Sequence, residues 1–171
     1  MMDFQKNIKL IYGGVKMEYE YSFNVEDLNP YINYCNDNDF EFIEETNQSR
    51  TIYRNENKTM ARITIKEKNN NIRKLLDFKD DILTDDILIE RRESKSIEFN
   101  DDEAINSILE FLNYKKDNTL IRKRYIYKKN NVKFELDDYD APKKAYVVAI
   151  EGEKSEVDKV YQDIIKKLNK I

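Results

Sequence analysis

The sequence predicts an α+β fold: an antiparallel, eight-stranded, closed or nearly closed β-barrel with a charged interior and helices packed outside. Three observations carry this expectation. About eight segments alternate residue character with the period of two that places successive side chains on opposite faces of a strand. Asn-rich turns separate several of them, which suits antiparallel hairpins. On several strands one face is apolar and the other charged, so helices covering the apolar faces would leave the charges inside.

The first strand spans residues 17–25, where Glu18 and Glu20 alternate with Tyr19 and Tyr21. Asn29-Pro30 has the form of an N-cap followed by proline in the first helical position, opening a short helix to about Asn36. Residues 40–54, 59–68 and 71–79 are strand candidates rich in Ile, Thr, Tyr and Phe, with Asn69-Asn70-Asn71 as the clearest turn. A further strand covers roughly 86–98. Asn100 and Glu103 form a capping-box-like start to a helix carrying Ile105, Ile108, Leu109 and Leu112 on one face, and Asp101 and Asp102 favour its N-terminus. Strands at 119–129, 131–138 and 144–152 follow, the first two joined by a tight hairpin at Lys129-Asn130-Asn131. Ser155 is placed to cap a last amphipathic helix bearing Val157, Val160, Tyr161, Ile164 and Leu168.

Composition limits the chemistry. With 171 residues the chain suits one domain, over residues 17–171; its 12 Tyr and 8 Phe argue against disorder despite a charged share of 37%. Residues 1–16 are either an N-terminal arm or a misplaced start, because Tyr12-Gly13-Gly14 is what a purine-rich ribosome-binding sequence ahead of Met17 would encode. A net charge of −4, from 30 basic and 34 acidic groups, gives no strong nucleic-acid signal. There is no histidine and only one cysteine, Cys35, which excludes His-assisted serine or cysteine hydrolysis and thiolate zinc sites. Any metal is therefore held by oxygen, which favours hard cations. No apolar run reaches the ~20 residues of a membrane span, and the expected location is cytoplasmic.

Parity assigns the faces. Ala61, Ile63 and Ile65 oppose Arg62, Thr64 and Lys66; Val132, Phe134 and Leu136 oppose Lys133, Glu135 and Asp137; Val148 and Ile150 oppose Ala149 and Glu151; Arg122 and Arg124 oppose Ile121, Lys123 and Tyr125. The predicted lining is Glu18, Glu20, Glu93, Glu135, Asp137 and Glu151 with Arg62, Lys66, Lys79, Arg122, Arg124 and Lys133. Arg91, Arg92 and Glu93 also read as solvated strand charges, because Ile87, Ile89 and Ile97 share the parity of Arg91 and Glu93. Carboxylates adjoining cationic side chains suit a metal-polyphosphate ligand, the acids holding the cation and Arg or Lys the phosphate oxygens.

The order of these motifs resembles the CYTH superfamily of triphosphate tunnel enzymes, over residues 17–170. Its opening Glu-x-Glu-x-Lys is matched by Glu18-Tyr19-Glu20-Tyr21-Ser22. Arg62 in Ala-Arg-Ile-Thr-Ile-Lys, the pattern at Arg122, Arg124 and Tyr127, Leu136-Asp137, and Ala149-Ile150-Glu151-Gly152 match later motifs. Ser22, Thr64 and Ala149 depart from the family, each replacing a charged group. The resemblance implies a triphosphate tunnel fold. It also implies a metal-dependent hydrolase of inorganic triphosphate, thiamine triphosphate or a nucleoside triphosphate. On this implication Glu18, Glu20 and Glu151 are catalytic and hold Mg2+ or Mn2+, with Glu135 and Asp137 as further metal candidates, while Arg62, Lys66, Lys79, Arg122 and Arg124 bind phosphate. The three departures leave two alternatives open, a polyphosphate- or nucleotide-binding protein with impaired catalysis and a class IV adenylyl cyclase. The expected partner is a small-molecule triphosphate or nucleotide, with no membrane, and a homodimer is compatible.

Overall fold

The computed structural model describes residues 15–57, 59–83 and 88–168. Its elements in chain order are β1 (Val15–Val25), α1 (Asn29–Asp37), β2 (Glu41–Arg54), β3 (Met60–Lys68), β4 (Asn71–Leu83), β5 (Leu88–Ser94) and β6 (Ile97–Glu98), then α2 (Asp102–Phe111), β7 (Lys115–Lys129), β8 (Val132–Ala141), β9 (Ala145–Gly152) and α3 (Lys154–Leu168). Of the segment 1–16, residues 1–14 lie outside the described residues. Val15 and Lys16 extend β1 beyond its predicted start and pair with Ser94 and Glu93.

Eight antiparallel strands follow one another in the order β3-β2-β7-β8-β9-β1-β5-β4, and the β3–β4 pairing closes the ring. The segment predicted as one strand over 86–98 is divided in the structure. β5 pairs with β1 and β4, whereas β6 pairs with Leu75 and Leu76 of β4, beside the barrel. Asn69 and Asn70 both have positive φ, 50° and 62°, as a two-residue primed turn between β3 and β4 requires.

The apolar material lies outside, in two places. Phe134, Leu136, Val148 and Ile150 from the β8–β9 wall pack with Tyr31 and Tyr34 of α1 and Val157, Tyr161 and Ile164 of α3. Elsewhere on the ring Ala61 and Leu76 of β3 and β4 pack with Phe99 and with Ile105 and Leu109 of α2. Tyrosines carry polar ends to the rim of the first cluster: Tyr21 stacks on Tyr161 at 4.1 Å and donates to Asp158 at 2.7 Å, and Tyr34 donates to Asp163 at 2.8 Å. Tyr127 is a core residue of this cluster.

All three helices form, with caps displaced from the predicted residues. Asn29 is the first residue of α1 rather than its cap; Leu28 occupies the cap position, and the Asn29 amide donates to Asp27 Oδ1 at 3.0 Å. Asp101, not Asn100, caps α2 by accepting from the Ala104 amide at 2.9 Å. Ser155 lies within α3, whose first free amides, those of Glu156 and Val157, donate to the Glu153 carbonyl at 3.0 Å. Among the described residues no helix is long and apolar enough to cross a membrane.

Candidate functional site

Because the apolar faces turn outward, alternate residues of the ring carry charge into the lumen. Glu20, Arg62, Asp77, Lys79, Arg91, Arg122, Arg124, Glu135, Asp137 and Glu151 are all buried. Ionised groups are confined this way only when paired or hydrogen-bonded.

One part of the lumen is a cation cluster fixed by carboxylates. Arg124 makes a two-pronged contact with Asp137, Nε to Oδ1 at 2.6 Å and Nη2 to Oδ2 at 2.7 Å, and a further contact with Glu135. Arg122 donates to Gln48 Oε1 at 3.1 and 2.9 Å, to Asp137 at 2.8 Å and to the Tyr139 hydroxyl at 2.7 Å. Arg62 binds Asp77 at 2.5 Å and Glu93 at 2.6 Å. Burial raises the Glu135 carboxyl, but Arg124, Lys133 and Arg122 outweigh it and hold the group far below the usual carboxylate range.

Arg50 breaks this pattern. It stands opposite Thr64 in the β2–β3 register and donates to Thr64 Oγ1 at 3.0 Å, and among the described residues no carboxylate lies within ion-pair distance of it. Burial, together with repulsion from Arg122, Arg62 and Arg124, pushes its guanidinium well below the usual arginine range. A cavity of about 160 Å3 opens beside it. Arg50, Arg62, Lys66, Arg124 and Lys133 line that cavity against Asp77, Glu93 and Glu135, an excess of two positive charges. A preorganised site with surplus cations and few free counter-charges attracts an anion with several oxygens.

A second part of the lumen is the carboxylate corner. Glu20 of β1 lies opposite Glu151 of β9, which lies opposite Lys133 of β8. Glu151 takes an ion pair from Lys133 at 2.6 Å, and the Arg91 guanidinium reaches both Glu151, at 3.5 Å, and Glu20. Glu18 is half-buried and lines a different cavity with Lys133, Lys128 and Glu153. Among the described residues no three carboxylates gather at a spacing that holds a metal ion. The donor set expected for Mg2+ or Mn2+ thus does not fit such an ion in this arrangement: Glu20 and Glu151 face protein cations, and Glu135 and Asp137 are occupied by Arg124, Lys133 and Arg122.

Of the residues expected to bind phosphate, Arg62, Lys66 and Arg124 line the cationic cavity. Arg122 and Lys79 do not line it; Arg122 spends its donors on Gln48, Asp137 and Tyr139. Sequence reasoning missed Arg50, Gln48 and Asp77. β2 is polar on both faces around Arg50, with Ser49 and Thr51 beside it, so parity gave no preference. Asp77 was detectable, since Leu76 and Phe78 flank it with opposite parity. Arg91, doubtful from sequence because Ile89 of the same strand shares its parity, is buried and turned toward Glu20 and Glu151; Ile97 belongs to β6.

No family model and no curated protein sequence matches the chain. Solved structures do. A Pyrococcus horikoshii protein superposes with a TM-score of 0.70 at 20% identity, covering 90% of this chain and 91% of its own. A Hippeastrum protein, described as a candidate adenylyl cyclase with a dominant triphosphatase activity, gives 0.62 at 12% identity over 88% and 87%. A candidate adenylate cyclase from Vibrio parahaemolyticus gives 0.61 at 12% identity over 90% and 87%. These likenesses establish the fold.

Proposed function

Starting from a barrel of the triphosphate-tunnel fold, we propose that the protein binds a triphosphate compound in its lumen, whether inorganic triphosphate, thiamine triphosphate or a nucleoside triphosphate. The observation that carries this reading is Arg50, a guanidinium with no carboxylate partner among the described residues, lining one cavity with Arg62, Lys66 and Arg124. An entering polyphosphate supplies the missing counter-charge. Asp77, Glu135 and Asp137 hold the arginines in place beforehand, so binding needs little reorganisation.

Turnover is the second reading. The buried pair Glu20 and Glu151 adjoins the cationic cavity, with Lys133 touching both regions, and the Hippeastrum protein of the same fold is described as a triphosphatase. On this reading the lumen aligns the chain of phosphates and its cations stabilise charge on the leaving group. Hydrolysis would release phosphate, whereas cyclisation would release pyrophosphate and cyclic AMP.

Calorimetric titration with tripolyphosphate, thiamine triphosphate and ATP, followed by product assays on the same mixtures, tests both readings. Arg50→Gln is expected to weaken triphosphate binding by about ten- to a hundredfold, the worth of one or two charge-assisted hydrogen bonds. It is also expected to raise the melting temperature of the ligand-free protein by removing like-charge repulsion. Unchanged affinity in this variant, or no binding of any of the three ligands, would refute the proposal. Product release that Glu20→Gln abolishes would add catalysis.

A further inference from the structure

The geometry points to Arg91 as a resident cation of the carboxylate corner: its guanidinium takes the position between the acids that a divalent ion would need, so the tunnel binds its polyphosphate free of divalent metal. The part concerning the polyphosphate rests on the binding reading above; the part concerning Arg91 does not. Three carboxylates from three strands converge on this one side chain. Nη1 meets Glu20 of β1 and reaches Glu151 of β9 at 3.5 Å, while Nε donates to Asp81 of β4 at 2.9 Å. Arg91 is buried, and it stands directly opposite Glu18 in the β1–β5 register.

A hard divalent cation draws its oxygen ligands to about 2.0–2.6 Å around a point. A guanidinium is planar and spreads its donors over a fork, so while it stays in place it holds carboxylates on its different sides apart and occupies the point an ion would need. Asp81 is held on the Nε side, apart from Glu20 and Glu151, which both face Nη1. Lys133 adds a second protein cation through its 2.6 Å contact with Glu151. With the acids neutralised from within, a ligand need not bring a metal to be tolerated beside them. Its charge is met instead by Arg50, Arg62 and Arg124.

Two measurements test this. In the first, Mn2+ alone is titrated and the free ion followed by its electron paramagnetic resonance signal. The wild-type protein is expected to bind no Mn2+ in the lumen, and Arg91→Ala to gain affinity by at least about tenfold as three carboxylates lose their shared cation. The gain should vanish in Arg91→Ala combined with Glu151→Gln. In the second, tripolyphosphate binding to the wild-type protein is compared in EDTA and in excess Mg2+, with undiminished affinity expected in EDTA. Mn2+ binding by the wild type that Glu20→Gln removes, or tripolyphosphate binding only with Mg2+, would overturn the inference. Both wild-type arms stand even if Arg91→Ala does not fold. Failure of tripolyphosphate to bind under either condition would refute the binding reading, with the Mn2+ titration still deciding the role of Arg91.

Discussion

Lys79 is buried in the lumen near Arg62, with Asp81 3.8 Å away. Burial first, and repulsion from Arg62 second, bring its ammonium down to about 8, against an ordinary value of 10.5. Between those two values the unfolded chain holds a proton that the folded chain has released. The contribution of Lys79 to stability therefore rises with pH across that window, and burying its charge is a cost below pH 8. Ligand binding should run the opposite way, since a nearby polyphosphate favours the charged ammonium. Tripolyphosphate binding near pH 8.5 is expected to take up protons, a fraction of one per site. Calorimetry in buffers of different ionisation enthalpy measures this uptake, and Lys79→Met should abolish it. Lys79 was legible from its parity on β4, but its titration was not, because that depends on neighbours from other strands.

At the scale of elements, register brings charged groups of neighbouring strands beside the three departures noted in the sequence. Thr64, in place of an arginine, stands opposite Arg50 of β2, which brings a guanidinium to the same stretch of wall. Ala149 stands opposite Glu135 of β8, so a carboxylate persists in that row. Ser22 lies in that same row, opposite Ala149, and Lys133 brings an amine to the next row, that of Glu20 and Glu151. Motif comparison along one strand could not detect these neighbours, because they sit across a ladder rather than along the chain. The strands themselves were largely legible from alternation; the break between β5 and β6 was not, as Lys95-Ser96 carries no strong turn signal. The β9–α3 junction rests on Gly152, whose φ of +156° is costly for other residues and whose added Cβ would lie 2.6 Å from the Asn131 carbonyl oxygen in the β7–β8 turn. Gly152→Ala is expected to destabilise the fold by about 2 kcal/mol or more, through strain and the backbone clash, as read from denaturant unfolding.

For the whole molecule, the outward apolar clusters and the charged lumen place two kinds of cohesion in different regions. The lumen should govern the acid response. Glu135 is held far below its unfolded value by Arg124, Lys133 and Arg122 despite its burial, so the unfolded chain binds a proton that the folded chain refuses. The stability this provides is complete above the unfolded carboxylate value of about 4.3 and is lost as pH falls toward the folded one. Urea unfolding at stepped pH should show this decline, and Glu135→Gln should flatten it while lowering stability at neutral pH.

The outside-in arrangement also makes the barrel a scaffold that can be re-lined. Phe134, Leu136, Val148 and Ile150 anchor the wall to the helices without entering the lumen. Exchanging lumen residues as matched ion pairs therefore leaves that packing untouched. A designer seeking a receptor for another polyanion, or a cation binder with the charges inverted, would retain the outer clusters and rewrite the interior row by row.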